Sequence, residues 1–237
     1  MTTFALRTLT LPTLVALCSC AGSGGERVHQ DVHQNIAAGP APVVHVDNIT
    51  GSVRISVWSK PAVDVNATKY AFDAEQLQSI TISVHEEGNR IFIVTTHSPG
   101  VRGGVRYRIA VPANSSLQVG NVAGLVDVAG VRGDVIVATQ AGSISADLGR
   151  VEGNRSIDLR ATTGTVTLSI APDSSAQVEA QSTVGGFSSD VPGIAQNREN
   201  LVGARASGTI GSGSARIRLS TTTGAIALRQ RARGTAP

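Results

Sequence analysis

The sequence predicts an all-β chain wound as a single-stranded parallel β-helix (β-solenoid) of ~20-residue coils, with a more irregular, sandwich-like N-terminal half. Three observations carry that prediction. Turn residues recur at Ala113, Gly133, Gly153, Asp173, Gly193 and Gly213, and two positions before them stand Val111, Val131, Val151, Ala171, Val191 and Gly211. A second column falls about half a period later, at Gly124, Gly164 and Gly224, with Gly142 and Gly185 slightly displaced. Most of these turns are followed by alternation of apolar and polar residues, as in Val126-Asp127-Val128, Val135-Ile136-Val137, Val166-Thr167-Leu168 and Ile226-Ala227-Leu228. Two strand-length runs per period, set between glycines, describe one coil of a stacked repeat.

Composition agrees. The 237 residues are 41% hydrophobic but only 3% aromatic, with 26 glycines, and a narrow β interior is filled by Val, Ile, Leu and Ala. The formal charge of +3 gives no electrostatic argument for nucleic acid as a partner.

Taken in order, residues 1–19 read as a lipoprotein signal peptide. Arg7 precedes an apolar run, Leu9 to Leu17, that is too short to span a bilayer. It ends in Leu17-Cys18-Ser19-Cys20, which looks like a bacterial lipobox, so Cys20 is the expected lipid attachment site. An ordinary secretory signal is the alternative. Two or three acyl chains, palmitate among them, would hold the protein on a membrane far more firmly than one. Both cysteines lie at this junction, so no disulfide is expected in the body. If the cell has two membranes, Ala21 after the cysteine suits the outer one. Residues 20–42 are small, polar and broken by Gly and Pro, and read as a flexible tether. His29 and His33, with Asp31 between them, could meet one metal only on a helix, which the glycine-rich flanks disfavour.

The β-solenoid is expected over 43–232. In its irregular half, 43–112, strands are expected at 43–47, 52–58, 62–68, 79–85, 90–96 and 104–111, with a short helix or excursion at 72–78. Gly88-Asn89 suits a hairpin loop. Regular coils are expected in sequence at 113–132, 133–152, 153–172, 173–192, 193–212 and 213–232. Their outward positions carry Asp127, Asp147, Asp158, Thr165, Thr167, Arg216, Arg218, Thr221 and Thr223. A polar insertion, Ile194 to Asn200, is expected to protrude. The basic end, Arg229 to Pro237, reads as a disordered tail, with 233–237 outside the solenoid.

Four stretches resemble one bacterial family. They are Val46-Asp47-Asn48-Ile49-Thr50-Gly51-Ser52-Val53-Arg54-Ile55 with Trp58, then Tyr107-Arg108-Ile109-Ala110-Val111-Pro112, then Thr162-Thr163-Gly164-Thr165-Val166, and finally Ile217-Arg218-Leu219-Ser220-Thr221-Thr222-Thr223-Gly224-Ala225-Ile226. The chain is similar here to DUF4097, whose members are named adhesins or β-strand repeat proteins. The resemblance implies a β-helical envelope protein and supplies no catalytic residues.

Few residues carry a pattern that points to chemistry. The sequence has no Gly-x-Ser-x-Gly elbow and no His-Glu-x-x-His motif. Lys60 and Lys69 do not follow phosphate-loop glycines, and Gly208 to Gly213 leads into a strand. Gly124, Gly133 and Gly142 are spaced like calcium β-rolls but lack the second glycine and the regular Asp. No cofactor or metal is therefore expected. Asp127 and Asp147, twenty apart, are the one carboxylate pair that could serve glycoside hydrolysis, on adjacent coils about 4.8 Å apart. Trp58, the only Trp, stands away from them. The reading is a non-enzymatic, lipid-anchored module of the bacterial envelope, structural or adhesive, with envelope polysaccharide or protein as its partner. Two alternatives stay open: a polysaccharide-active β-helix enzyme, and an accessory of envelope-stress or regulatory signalling.

Overall fold

A computed structural model describes residues 28–197 and 202–231. Cys20, the signal peptide and residues 233–237 lie outside the described residues. In chain order the elements are β1 (Val28–Ala37), β2 (Val43–Thr50), β3 (Val53–Trp58), β4 (Ala62–Ala71), α1 (Ala74–Gln78), β5 (Ile80–Glu87), β6 (Arg90–His97), β7 (Gly103–Pro112), β8 (Ser116–Ala129) and β9 (Val135–Gly149). They continue as β10 (Ser156–Thr163), β11 (Val166–Ile170), β12 (Ala176–Val184), β13 (Phe187–Ser189), β14 (Ile194–Asn197), β15 (Ala204–Ile210), β16 (Ala215–Thr223) and β17 (Ile226–Gln230).

The strands form two sheets that share a corner. One runs β5-β6-β2-β8-β9-β10-β16-β12-β15-β14, and the other β1-β4-β7-β3-β8-β9-β11-β17-β13. The long strands β8 and β9 belong to both, their first halves to one sheet and their second halves to the other. The central pairs are parallel, as a β-solenoid requires. Antiparallel strands close both ends: β5 on β6 and β1 on β4 on β7 at one, β15 on β12 and β14 on β15 at the other. The antiparallel strands cap the two ends of the parallel stack, so its coils do not end on bare parallel strands.

Alternation sorts the side chains. Val119, Val137, Leu159, Leu219 and Ala180 stack in one inward row, and Val128, Ala146, Leu168 and Leu228 in another; all are buried in a single core. Each large member contributes about 1.5–3 kcal/mol of transfer free energy. Asp127, Asp147, Asp158, Thr165, Thr167, Arg216 and Arg218 point outward, as the pattern predicts. Trp58 ends β3, where its indole nitrogen donates to the Ala62 carbonyl at 2.7 Å. At the far turns of the coils Arg155 is half-buried and donates to the carbonyls of Val131, Gly133 and Arg150 at 2.9–3.2 Å. Burial lowers its pKa, and Asp134 partly offsets this.

The sheet corner is built from glycine. Gly51, Gly124, Gly142, Gly164, Gly224 and Gly185 lie one above another with φ between 125° and 145°. Each packs onto the carbonyl of the one before: a Cβ on Gly142 would lie 1.8 Å from the Gly124 oxygen, and one on Gly164 1.6 Å from the Gly142 oxygen. Three residues before each glycine stands Asn48, Asn121, Thr139, Ala161, Thr221 or Ser182, and all are buried. Several of these side chains donate to the stacked carbonyls: Ser182 to Gly224 at 3.0 Å, Thr221 to Gly164 at 3.3 Å and Asn121 to Gly51 at 3.5 Å.

Several expectations need correction. First, residues 28–37 belong to β1, a ten-residue strand paired along its length with β4, and not to a tether. Its inward positions are Val28, Gln30, Val32, Gln34 and Ile36, so alternating glutamines mask the apolar rhythm. His33 and Asn35 also tie it down by donating to Asp64 at 2.7 and 3.0 Å. Burial works to raise the Asp64 pKa, but the hydrogen bonds of Asn35 and His33, the charge of His33 and the Asn66 bond together hold it below its ordinary value. A depressed carboxyl stabilises above its unfolded pKa, 3.8, and that contribution fades as pH falls through the folded value.

Second, the coils do not stack in sequence order. Leu117 faces Val135, eighteen residues on, and Val135 faces Ile157, twenty-two on; Ile157 then faces Ile217, sixty on. The coil β16–β17 is thus slotted between β10–β11 and β12–β13. Third, 193–212 makes no coil. Ile194–Asn197 and Ala204–Ile210 pair antiparallel on the edge of β12, so the part of the insertion that is described is a strand. Arg229 and Gln230, assigned to the tail, complete β17.

Candidate functional site

Alternation holds to three residues before each corner glycine and lapses only at the last residue before it, where the strand turns from one sheet into the other and a groove forms. The residue three before the glycine is buried, while those four and two before it face out. Gly120, Ala138, Arg160 and Ser220 therefore line one wall of a trench, and Val122, Gln140, Thr162 and Thr222 the other. The trench crosses β2, β8, β9, β10, β16 and β12, from Asp47 and Ile49 to Gln181 and Thr183. Six strands at about 4.8 Å spacing give it a length of roughly 24 Å. Its volume is about 750 Å³ and it is open to solvent.

Its lining mixes hydroxyl and amide groups with apolar ones from Ile49, Val122, Ala138 and Ala161. Both charges within it are already held. Asp47 accepts from His45 at 2.8 Å, and Arg160 grips Asp158 through two nitrogens. The Asp158 hydrogen bonds and charge raise the Arg160 pKa above its ordinary value. Two buried oxygens of lining residues, Oδ1 of Asn48 and Oγ1 of Thr139, have no hydrogen-bond partner. Thr221, expected outside, is buried and spends its hydroxyl on the Gly164 carbonyl, whereas Thr223 is exposed. The repeated polar-x-x-Gly spacing was present in the sequence as the signal for this groove: Asn48 to Gly51, Asn121 to Gly124, Thr139 to Gly142, Ser182 to Gly185 and Thr221 to Gly224.

The carboxylate pair falls apart. Because β8 and β9 are offset by eighteen residues and not twenty, Asp127 faces Ser145, and Asp147 faces Ala129. The two are diagonal, and Asp147 lies 3.6 Å from the Arg231 guanidinium. No sugar platform adjoins them, since Trp58 packs at the β3 end beneath Lys60. His29 and His33 point to the same side of β1, but four residues of strand separate them by about 13 Å. Among the described residues no three His, Cys, Asp or Glu side chains gather as a metal site. Nor does any described histidine bond a serine or threonine hydroxyl: those with hydrogen bonds reach Asp64, Asp47, Gln118 and the Ser98 carbonyl.

The fold has a solved counterpart. A protein of Clostridium sporogenes described as a "putative cell adhesion protein" superposes with a TM-score of 0.63 at 11% identity, over 87% of this chain and 100% of that one. A "putative adhesin" of Bacteroides fragilis matches with a TM-score of 0.30 at 12% identity, over 85% and 97% of the two chains. No curated protein matches the chain. The family model described as Toastrack DUF4097 matches residues 43–229, from the first strand of the parallel stack to the last. The chain therefore belongs to the DUF4097 (Toastrack) family.

Proposed function

We propose that the protein is a non-catalytic, lipid-anchored component of the bacterial envelope that holds an extended hydroxyl-rich polymer, an envelope polysaccharide, in the corner groove. The observation that carries this reading is the groove itself. It sets hydroxyls and amides among small apolar groups, is open along its length and repeats once per strand, so it suits many weak contacts with a chain-like partner. A reacting bond would need a water-excluding pocket, and this trench gives none. The adhesive description of the Clostridium sporogenes protein supports the same class of role.

Ala138→Arg places a long side chain across the groove at an exposed position, so the fold should persist while binding fails. In co-sedimentation with purified envelope polysaccharide, wild type should pellet with the polymer and the variant should stay in the supernatant. Wild type that never pellets, or that depolymerises the glycan with activity lost in Asp127→Asn, overturns the reading. The anchor is tested separately. Cys20→Ser should move the protein from the detergent phase to the aqueous phase, and an unmodified Cys20 in the mass spectrum of membrane-purified wild type would remove the anchor from the proposal.

A further inference from the structure

On the sheet away from the groove, the structure sets two arginines side by side, neither in an ion pair. Arg54 of β3 and Arg108 of β7 are register partners on adjacent parallel strands, and both side chains are exposed. Among the described residues neither guanidinium makes an ion pair or hydrogen bond, whereas Arg160, Arg218 and Arg231 each have a carboxylate. They face a cleft of about 360 Å³, also lined by Asp64, Asn66 and Asp127. Asp64 accepts from His33, Asn35 and Asn66 at 2.6–3.0 Å and pairs with neither arginine. Asp127 is the register partner of Arg54 on β8, yet it forms no ion pair with it.

We propose that Arg54 and Arg108 form a binding site for a phosphate group. Like charges directly across a strand pair oppose folding, so the arrangement is relieved by an anion shared between them. Strands about 4.8 Å apart put two planar forks within reach of one tetrahedral oxyanion. Phosphate carries more acceptor oxygens and up to two negative charges, so it engages two forks at once better than a singly charged, two-oxygen carboxylate. Asp127 stands beside Arg54 and repels the anion, which places it towards Arg108. The site lies on the other sheet from the groove, so it stands or falls independently of the polymer reading.

The test uses the full chain in a maltoside detergent, titrated with inorganic phosphate, with glycerophosphoglycerol as a diester, and with acetate at matched ionic strength. Thermal midpoint and calorimetric Kd are the readouts. Phosphate in one or both forms should raise the midpoint and acetate should not. Tighter binding of the diester assigns the site to a headgroup or polymer phosphate, and tighter binding of inorganic phosphate to a free or terminal one. Arg54→Gln and Arg108→Gln should melt at or above wild type without ligand, yet bind phosphate roughly tenfold more weakly or worse. Arg→Lys at either position should recover only part of that loss, and Asp127→Asn should tighten binding. Absence of any phosphate-specific shift, or a shift that survives in both glutamine variants, overturns the proposal.

Discussion

Val166→Asp is expected to unfold the protein, and Thr167→Asp, one residue along the same strand, is expected to leave it folded. Val166 is 0% exposed and sits between Ile144 and Ile226 in the inward row of the stack. An aspartate there would bury a charge among aliphatic side chains with no donor beside it. The cost is about 4 kcal/mol or more, most of the 5–15 kcal/mol that a typical domain has to lose. Thr167 faces outward between Ser145 and Ala227, where a carboxylate stays hydrated. Its replacement should cost about 1 kcal/mol or less, mainly in strand preference. Circular dichroism melts of the two variants measure the contrast directly, and equal midpoints would contradict the register.

Gly164→Ala should be nearly as damaging, although it adds a single methyl group. Two penalties coincide at this corner. At φ 143° an alanine is strained, and its Cβ would lie 1.6 Å from the Gly142 carbonyl oxygen, which is backbone and cannot rotate away. Separating the coils far enough would break the ladder on both sides, so the loss is about 3–5 kcal/mol. Gly153→Ala is the control. Its φ of 71° is also left-handed, but nothing lies within 4 Å of the added carbon, and a cost of about 1–2 kcal/mol is expected. Urea midpoints for the pair separate close stacking from backbone strain alone. If Gly164→Ala lost no more than Gly153→Ala, the packed glycine corner would be refuted.

Much of the coil was legible in the residues because it is a local property. Alternation in Val166-Thr167-Leu168 gives the inward face, and Gly88-Asn89 gives the two-residue loop between β5 and β6, with Gly88 at φ 63°. The period itself was legible too, but not its consequence for order. Nothing in residues 215–230 says whether they follow β12–β13 in the stack or slip beneath it, since any coil with the same inward row can lie on any other. The choice is made between whole surfaces. β1 was hidden for a related reason. Its glutamines at Gln30 and Gln34 are half-buried on an edge strand, where one side of the chain stays wet and strict apolarity is not required. The groove escaped because it depends on a lapse of alternation before each glycine. Thr221, Thr222 and Thr223 look alike in sequence, yet the first is buried and the next two are exposed.

The displaced coil also bears on the timetable of biosynthesis. A solenoid stacked in chain order can grow one layer at a time as it leaves the ribosome, each new coil finding its seat already built. Here β10–β11 and β12–β13 are both synthesised before the layer that separates them, and neither gains its neighbour on that side until β16–β17 has emerged. The nascent chain must therefore carry an open slot, with β12 to β15 waiting beside it. The last-made layer acts as a keystone whose entry completes both sides at once, and a chain interrupted before Ala215 would lose the seat of the four elements β12 to β15 that it had already made.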